Sequence, residues 1–207
     1  MEVEKNDSIY GGYAGSLEMI AKSLCDKIED LRKRKKEENG VDTIEFIQSR
    51  VKSEESMREK CERKGYPVTC ETALTKIYDA IGIRIVCSFL DDVYVNVEMI
   101  KNIPNLKVIQ EKDYIRHSKP NGYRSYHMIV EIQEPITDIS GNKPGTFYAE
   151  IQLRTIAMDS WASLEHQLKY KKNVSNQSLI VSELKRCADE IASTDVSMQT
   201  IRDMLKD

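Results

Sequence analysis

Acid, amide and guanidinium groups alternate with apolar residues between Phe147 and Arg154. A two-residue period sends Phe147, Ala149, Ile151 and Leu153 to one side of a strand and Tyr148, Glu150, Gln152 and Arg154 to the other. The first set reads as core. The second is polar throughout, and an apolar-rich helix follows at once, so an acid and an arginine on that side need a chemical reason. A second carboxylate, Asp79, stands just before a β-branched segment that carries Gly82 and Arg84. Alone, Asp79 reads as a helix-end charge. Paired with Glu150 from another strand, it could hold Mg²⁺ through one or two oxygens while substrate phosphates complete the shell.

Cations suited to phosphate are spaced for convergence. Arg50 and Lys52 share one side of an extended segment, and Lys60 and Arg63 share one side of a helix. By themselves Lys60 and Arg63 read as a solvated stripe. Arg50 and Arg84 could stack their planes on a purine. A polar, basic loop from Lys112 to Gly122 contains Arg116, His117 and Lys119 and ends at Tyr123, an aromatic placed to stack on a base. His127, four residues on, is expected on the same strand face as Tyr123 and Ser125. Glu165 and His166 are adjacent on a helix and point apart, and no H-E-x-x-H pattern is present.

The elements that must position these groups follow from periodicity. Leu17, Ile20, Leu24, Ile28 and Leu31 mark an amphipathic helix from Ser16 to Glu38, closed by Asn39-Gly40. A short strand spans 44–52. Ser53 caps a helix that Gly65-Tyr66-Pro67 stops, and a short helix covers Glu71 to Tyr78. A central strand spans 82–89, a helix runs from Asp91 to Ile103, and a strand passes through Leu106, Val108 and Ile109. Strands Tyr123–Gln133 and Thr146–Arg154 form a hairpin, and helices span 156–171 and 177–206. Trp161, Leu164 and Leu168 form an apolar stripe expected in the core beside Met158. The sum is α+β: a mixed sheet of about five strands with flanking helices and helical N- and C-terminal extensions.

Composition narrows the partners. The chain has 207 residues, 31% of them charged, with a net charge of -3. Such a balance gives no global attraction to DNA or RNA and favours a small phosphorylated partner. Five scattered cysteines without a C-x-x-C pair read as reduced thiols, and no stretch approaches the roughly 18 apolar residues of a membrane span. A cytoplasmic protein, neither secreted nor membrane-embedded, is expected.

Taken together, these residues resemble the synthetase domain of the RelA/SpoT family, in the manner of a single-domain small alarmone synthetase. The resemblance rests on GYRSYH at 122–127 and EIQLRT-AMDSWASLEHQLKYK across 150–171, supported by DAIGIRIVCSF from Asp79 and SRVKS from Ser49. It implies a nucleotidyltransferase-like fold over 44–172, with helical extensions at 1–43 and 173–207 within one compact unit. It also implies transfer of the β,γ-pyrophosphate of ATP to the 3′-hydroxyl of GDP or GTP, releasing AMP. Carried onto this chain, Asp79 and Glu150 would hold Mg²⁺, and Glu150 would take the hydroxyl proton. Arg50 and Arg84 would sandwich adenine, with Lys52, Lys60 and Arg63 on the ATP phosphates. Tyr123 would stack on guanine, and His127, Gln152, Arg154 and Lys119 would serve the acceptor side.

The departures carry their own expectations. Relatives stimulated by their own product often show Thr-Gly before the arginine and Asn after the methionine, where this chain has Gln48-Ser49 and Asp159. An added carboxylate facing a polyphosphate would repel it, so activation by pppGpp is expected to be weak or absent. No His-Asp dipeptide occurs, so no hydrolase activity is expected. In small relatives the terminal helices assemble a homotetramer; here their apolar stripes could equally pack on their own sheet. Two rivals stand beside this reading: a toxin-type pyrophosphokinase acting on adenine nucleotides or tRNA, and a catalytically silent nucleotide-binding regulator.

Overall fold

Local signals set most element ends. The computed structural model describes residues 8–169 and 176–205. Helix α1 (Ala14–Asn39) closes on Gly40, whose φ of 70° lets its N–H reach Lys36 O at 2.8 Å. Strand β1 (Ile44–Val51) leads to α2 (Glu54–Arg63), capped as expected by Ser53, whose hydroxyl accepts from the Ser56 N–H. Helix α3 (Cys70–Thr75) ends earlier than expected, leaving Ile77, Tyr78 and Asp79 in the approach to β2 (Ile81–Cys87). Then come α4 (Leu90–Lys101), β3 (Leu106–Asp113), β4 (Tyr126–Glu134), β5 (Gly145–Thr155), α5 (Ile156–Lys169) and α6 (Gln177–Met204). The expected continuation of α5 to Lys171, the boundary at 172–173 and the last position of the C-terminal helix, Lys206, lie outside the described residues.

The five strands form one mixed sheet in the order β1-β2-β5-β4-β3, with β2 and β5 parallel and the other pairs antiparallel. Its apolar face carries Ile81, Ile83 and Ile85 from β2, Ala149, Ile151 and Leu153 from β5, and Met128 and Val130 from β4, all buried. Helix α1 covers part of that face: Leu17, Ile20, Leu24 and Ile28 are fully buried in the same core cluster. Each such side chain contributes roughly 1.5–3 kcal/mol of transfer free energy. The stripe of the N-terminal helix thus packs on its own sheet.

Two differences from the sequence reading bear on the site. Strand β4 starts at Tyr126, so Tyr123 and Ser125 precede it and do not follow its alternation. Ser125 is wholly buried and donates to Leu153 O, while Tyr123 turns toward the opposite face. Strand β3 also runs four residues beyond Ile109, because Lys112 and Asp113 pair with His127 and Tyr126. Long-range pairing overrides the polar, loop-like composition there.

A second, smaller core joins α5 to α6 through Trp161, Ala162, Leu184 and Ala188, with the indole N–H donating to Leu184 O at 2.9 Å. Met158 is buried as expected, but Leu164 and Leu168 are 58% and 51% exposed. The packed face of α5 is centred on Met158, Trp161, Ala162 and Glu165, which turns the Leu164–Leu168 stripe away from it. No helix among the described residues is long and apolar enough to cross a membrane.

Candidate active site

Strand register assembles the polar face into two rungs. One carries Gln48, Arg84, Gln152 and His127 across four strands; the next carries Arg50, Gly82, Glu150 and Ile129. Side chains opposite one another on adjacent strands are near neighbours, so residues remote in sequence become one surface. Gly82 leaves a low floor between Arg50 and Glu150, and the Arg50 stem lies over it, 3.8 Å from where a Cβ would stand. Above this floor opens a cleft of about 490 Å³. Arg50, Lys52, Asp79, Arg84, Tyr123, Glu150, Gln152 and Arg154 all line it, as the sequence led one to expect.

Four expected residues stand behind the wall or apart from it. Lys60 reaches Asp79 Oδ2 at 2.5 Å, where Lys52 also arrives at 3.1 Å, so both lysines converge on one carboxylate oxygen. His127 is held between the Tyr123 hydroxyl (2.8 Å from Nε2) and Glu150 Oε1 (3.1 Å from Nδ1). Lys119 lies over the rings of Tyr114 and Tyr123, 4.6 Å from each centroid, a cation–π arrangement rather than a reach into the cleft. Arg63 is exposed at the end of α2 and does not line the cleft.

The two carboxylates differ in how they are held. Asp79 Oδ1 is buried with no hydrogen-bond partner among the described residues, an arrangement that is costly unless a ligand completes it. Glu150 accepts from the Gln152 amide at 2.8 Å through its other oxygen. Burial pushes its carboxyl up, but the hydrogen bond and charge of His127, then the Gln152 amide and the Lys60 ammonium, outweigh it and bring the pKa down to about 2. Glu150 is therefore an anion at neutral pH. Two oxygen donors of this kind, one unpartnered and one ionised, suit a hard divalent cation that takes its remaining ligands from phosphate and water. Among the described residues no group of three or more His, Cys, Asp or Glu could hold a metal by itself.

Arg154 ties one end of the cleft together. Its Nη2 donates to the Tyr123 hydroxyl (2.7 Å) and Gln152 Oε1 (2.8 Å), its Nη1 to Asp159 Oδ1 (3.1 Å), and its Nε lies 3.4 Å from Ser125 Oγ. The loop before β4 is anchored from two helices. Asn121 donates to Glu165 on α5 at 3.0 Å, and Arg124 reaches Ala188 O and Asp189 on α6. At Gly122 (φ 89°) any Cβ would come within 2.5 Å of the Ala188 Cβ, so only glycine lets the loop meet α6.

Helix α5 supplies cleft residues to which the sequence assigned no role: Ala162, Ser163 and Gln167, together with Glu165 and His166, which were expected to point apart but both line the cleft. The 162/166 and 163/167 pairs stand four apart, so one helical face was there to be read. Asp159 also lies differently from expectation. Its Oδ1 is 3.1 Å from both Arg84 Nη1 and Arg154 Nη1, so two guanidinium groups already compensate the repulsion that a polyphosphate was expected to feel.

Known proteins share this sequence pattern and fold. The family profile described as the region found in RelA / SpoT proteins matches residues 49–175. The chain belongs to the RelA/SpoT family. Among RelA/SpoT relatives, GTP pyrophosphokinase YwaC of Bacillus subtilis (strain 168) is 43% identical over 164 residues, covering 79% of this chain and 76% of its own. GTP pyrophosphokinase YjbM of the same organism is 35% identical over 176 residues, covering 85% and 80%. The crystal structure of small alarmone synthetase 1 from Bacillus subtilis bound to its product pppGpp superposes with a TM-score of 0.80 at 33% identity, covering 92% of this chain and 95% of that one. A GTP pyrophosphokinase family protein from Streptococcus pneumoniae superposes at 0.81 and 35% identity, covering 99% and 96%. The α+β fold with its mixed five-stranded sheet is thus that of the small alarmone synthetases of the RelA/SpoT family.

Proposed function

We propose that this protein is a (p)ppGpp synthetase, transferring the β,γ-pyrophosphate of ATP to the 3′-hydroxyl of GDP or GTP and releasing AMP. The observation that carries the reading is the pairing of Asp79, with its unpartnered Oδ1, and the ionised Glu150 in one cleft with Arg50, Lys52 and Arg84. Mg²⁺ is the fitting cation: held by Asp79 and Glu150, it supplies neutralisation of phosphate charge. Arg50 and Arg84 present planar groups to adenine, and Lys52 and Lys60 exchange part of their hold on Asp79 for ATP phosphates. Tyr123, with Lys119 and Arg154 against its ring, forms the guanine end.

Glu150 receives the 3′-hydroxyl as a hydrogen-bond donor. A carboxylate held near pKa 2 is a weak base, so the proton leaves late, as the bond to phosphorus forms. His127 and Gln152 fix the orientation of that carboxylate, and His127 connects it to Tyr123. Positioning and electrostatics then supply most of the acceleration.

Synthesis without hydrolysis and a cytoplasmic location belong to the same proposal. So does a homotetramer formed through the terminal helices, for which the exposed Met19 on α1 and Val196, Ile201 and Met204 on α6 provide apolar surface. A mass measurement in solution tests the assembly. For the reaction, the protein is incubated with ATP, Mg²⁺ and, separately, GDP, GTP, GMP, AMP or tRNA, and the products are resolved. AMP together with a 3′-pyrophosphorylated guanine nucleotide is the expected outcome. Failure to form AMP with any guanine nucleotide overturns the proposal.

A further inference from the structure

Asp159 lies outside the residues that line the cleft, yet it touches two that do. Arg84 is gripped at both ends of its guanidinium: Nη2 donates to Gln48 Oε1 from the neighbouring strand, and Nη1 pairs with Asp159 Oδ1 at 3.1 Å. Both grips use in-plane N–H groups. An arginine held by its edges keeps its flat face available, and stacking on a base uses the face. The same Asp159 oxygen holds Arg154 Nη1 at 3.1 Å, and Arg154 in turn donates to the Tyr123 hydroxyl. A continuous line of polar contacts therefore runs from Gln48 through Arg84, Asp159, Arg154 and Tyr123 to His127 and Glu150.

From this arrangement we infer that Asp159 is a positioning residue that couples the two nucleotide subsites: with Gln48 it holds Arg84 edge-on for the donor base, and through the same oxygen it sets Arg154 for the acceptor. The inference rests on the assignment of Arg84 to the donor and of Tyr123 and Arg154 to the acceptor. Coupling is positive for a physical reason. A base stacked on Arg84 leaves its edge contacts intact and reduces the motion of Asp159, so the ordering of Arg154 is already achieved when the acceptor arrives. Linkage requires the converse to the same degree.

Binding without turnover tests this. Calorimetric titration of the full chain with α,β-methylene-ATP and Mg²⁺, in the absence and presence of saturating GDP, gives the coupling factor directly. Wild-type protein is expected to bind the analogue about fivefold or more tightly with GDP present. Asp159→Asn keeps an acceptor oxygen and similar volume but loses the charge that serves two guanidinium groups. It is expected to weaken analogue binding several-fold and to bring the coupling factor to about one. Gln48→Ala, on an exposed strand position that threatens no core packing, removes one grip on Arg84 only. It is expected to weaken the analogue while leaving the GDP dependence in place.

Equal coupling in wild type and Asp159→Asn overturns the inference while leaving the proposed reaction standing. Tighter binding of both nucleotides by Asp159→Asn also overturns it, marking Asp159 as an obstruction. Should Asp159→Asn fail to fold, unchanged analogue binding by Gln48→Ala still removes the edge grip. Wild-type protein that binds neither nucleotide overturns the functional reading itself.

Discussion

The proposed donor and acceptor halves of the cleft are built on opposite plans. On the donor side, the Arg50 side chain makes no hydrogen bond or ion pair among the described residues, and Asp79 keeps one oxygen unpartnered while two lysines crowd the other. On the acceptor side the polar groups are committed to one another: Arg154 to four neighbours, Tyr123 to His127 and Arg154, and Glu150 to His127 and Gln152. An open half can receive an anion and a cation with little rearrangement. A closed network is rigid and well placed, but it admits a ligand only by exchanging bonds already made. Asp159 stands where the halves meet.

The sharpest way to break this comparison is at the two carboxylates. Glu150→Gln is expected to reduce turnover by about a thousandfold while leaving ATP binding within about twofold, since the hydroxyl and metal contacts it serves belong to the reaction. Single-turnover rates beside titration check it, and near-normal turnover removes Glu150 from its role. Asp79→Asn is expected to cost about a hundredfold in turnover and to shift half-saturation by Mg²⁺ upward. An unchanged Mg²⁺ requirement would show that the unpartnered oxygen serves no metal.

The acceptor network also predicts a pH signature in stability. The folded pKa of Glu150 is depressed from its usual 4.5 to about 2, so its contribution is fully present above the unfolded value and lost as pH falls through the folded one. A depression of that size corresponds to about 3 kcal/mol. Urea unfolding of wild type and Glu150→Gln is expected to show a gap of that order at neutral pH that shrinks from about pH 4.5 downward and closes near about pH 2. A gap that does not change with pH contradicts the assignment.

Smaller effects separate ring from hydroxyl and cleft from periphery. Tyr123→Phe keeps a stacking face but cuts the link between His127 and Arg154. It is expected to lower kcat several-fold, about the worth of one hydrogen bond, with little change in the acceptor KM. A rise in KM alone would place the hydroxyl on the base. Arg63→Ala is expected to change the ATP KM by less than about twofold, as for a solvated surface charge. A tenfold rise would bring the end of α2 into the donor site.

Much of the site was legible because one strand face can be read from alternation alone. Glu150, Gln152 and Arg154 stand together on β5 as the two-residue period required, and Arg50 from the first strand and Lys52 just beyond it line the same cleft. Tyr123 was read as a strand residue because GYRSYH continues a β-like pattern, but pairing begins only at Tyr126. His166 was weighed only against a metal motif and Gln167 was given no role, because a helix next to a strand looks like support until the cleft shows which side it presents.

The sequence by itself determined the order of the elements, the caps at Ser53 and Gly40, and the separation of core from polar face in β5. These depend on hydrogen bonds and periodicities within a few residues. Only the tertiary structure decided that Gln48, Arg84, Gln152 and His127 share a rung, that Leu164 and Leu168 face outward, and that one oxygen of Asp159 serves arginines from two strands. Those outcomes depend on register and helix rotation, which are set by packing and pairing between segments far apart in the chain, and no local pattern records them.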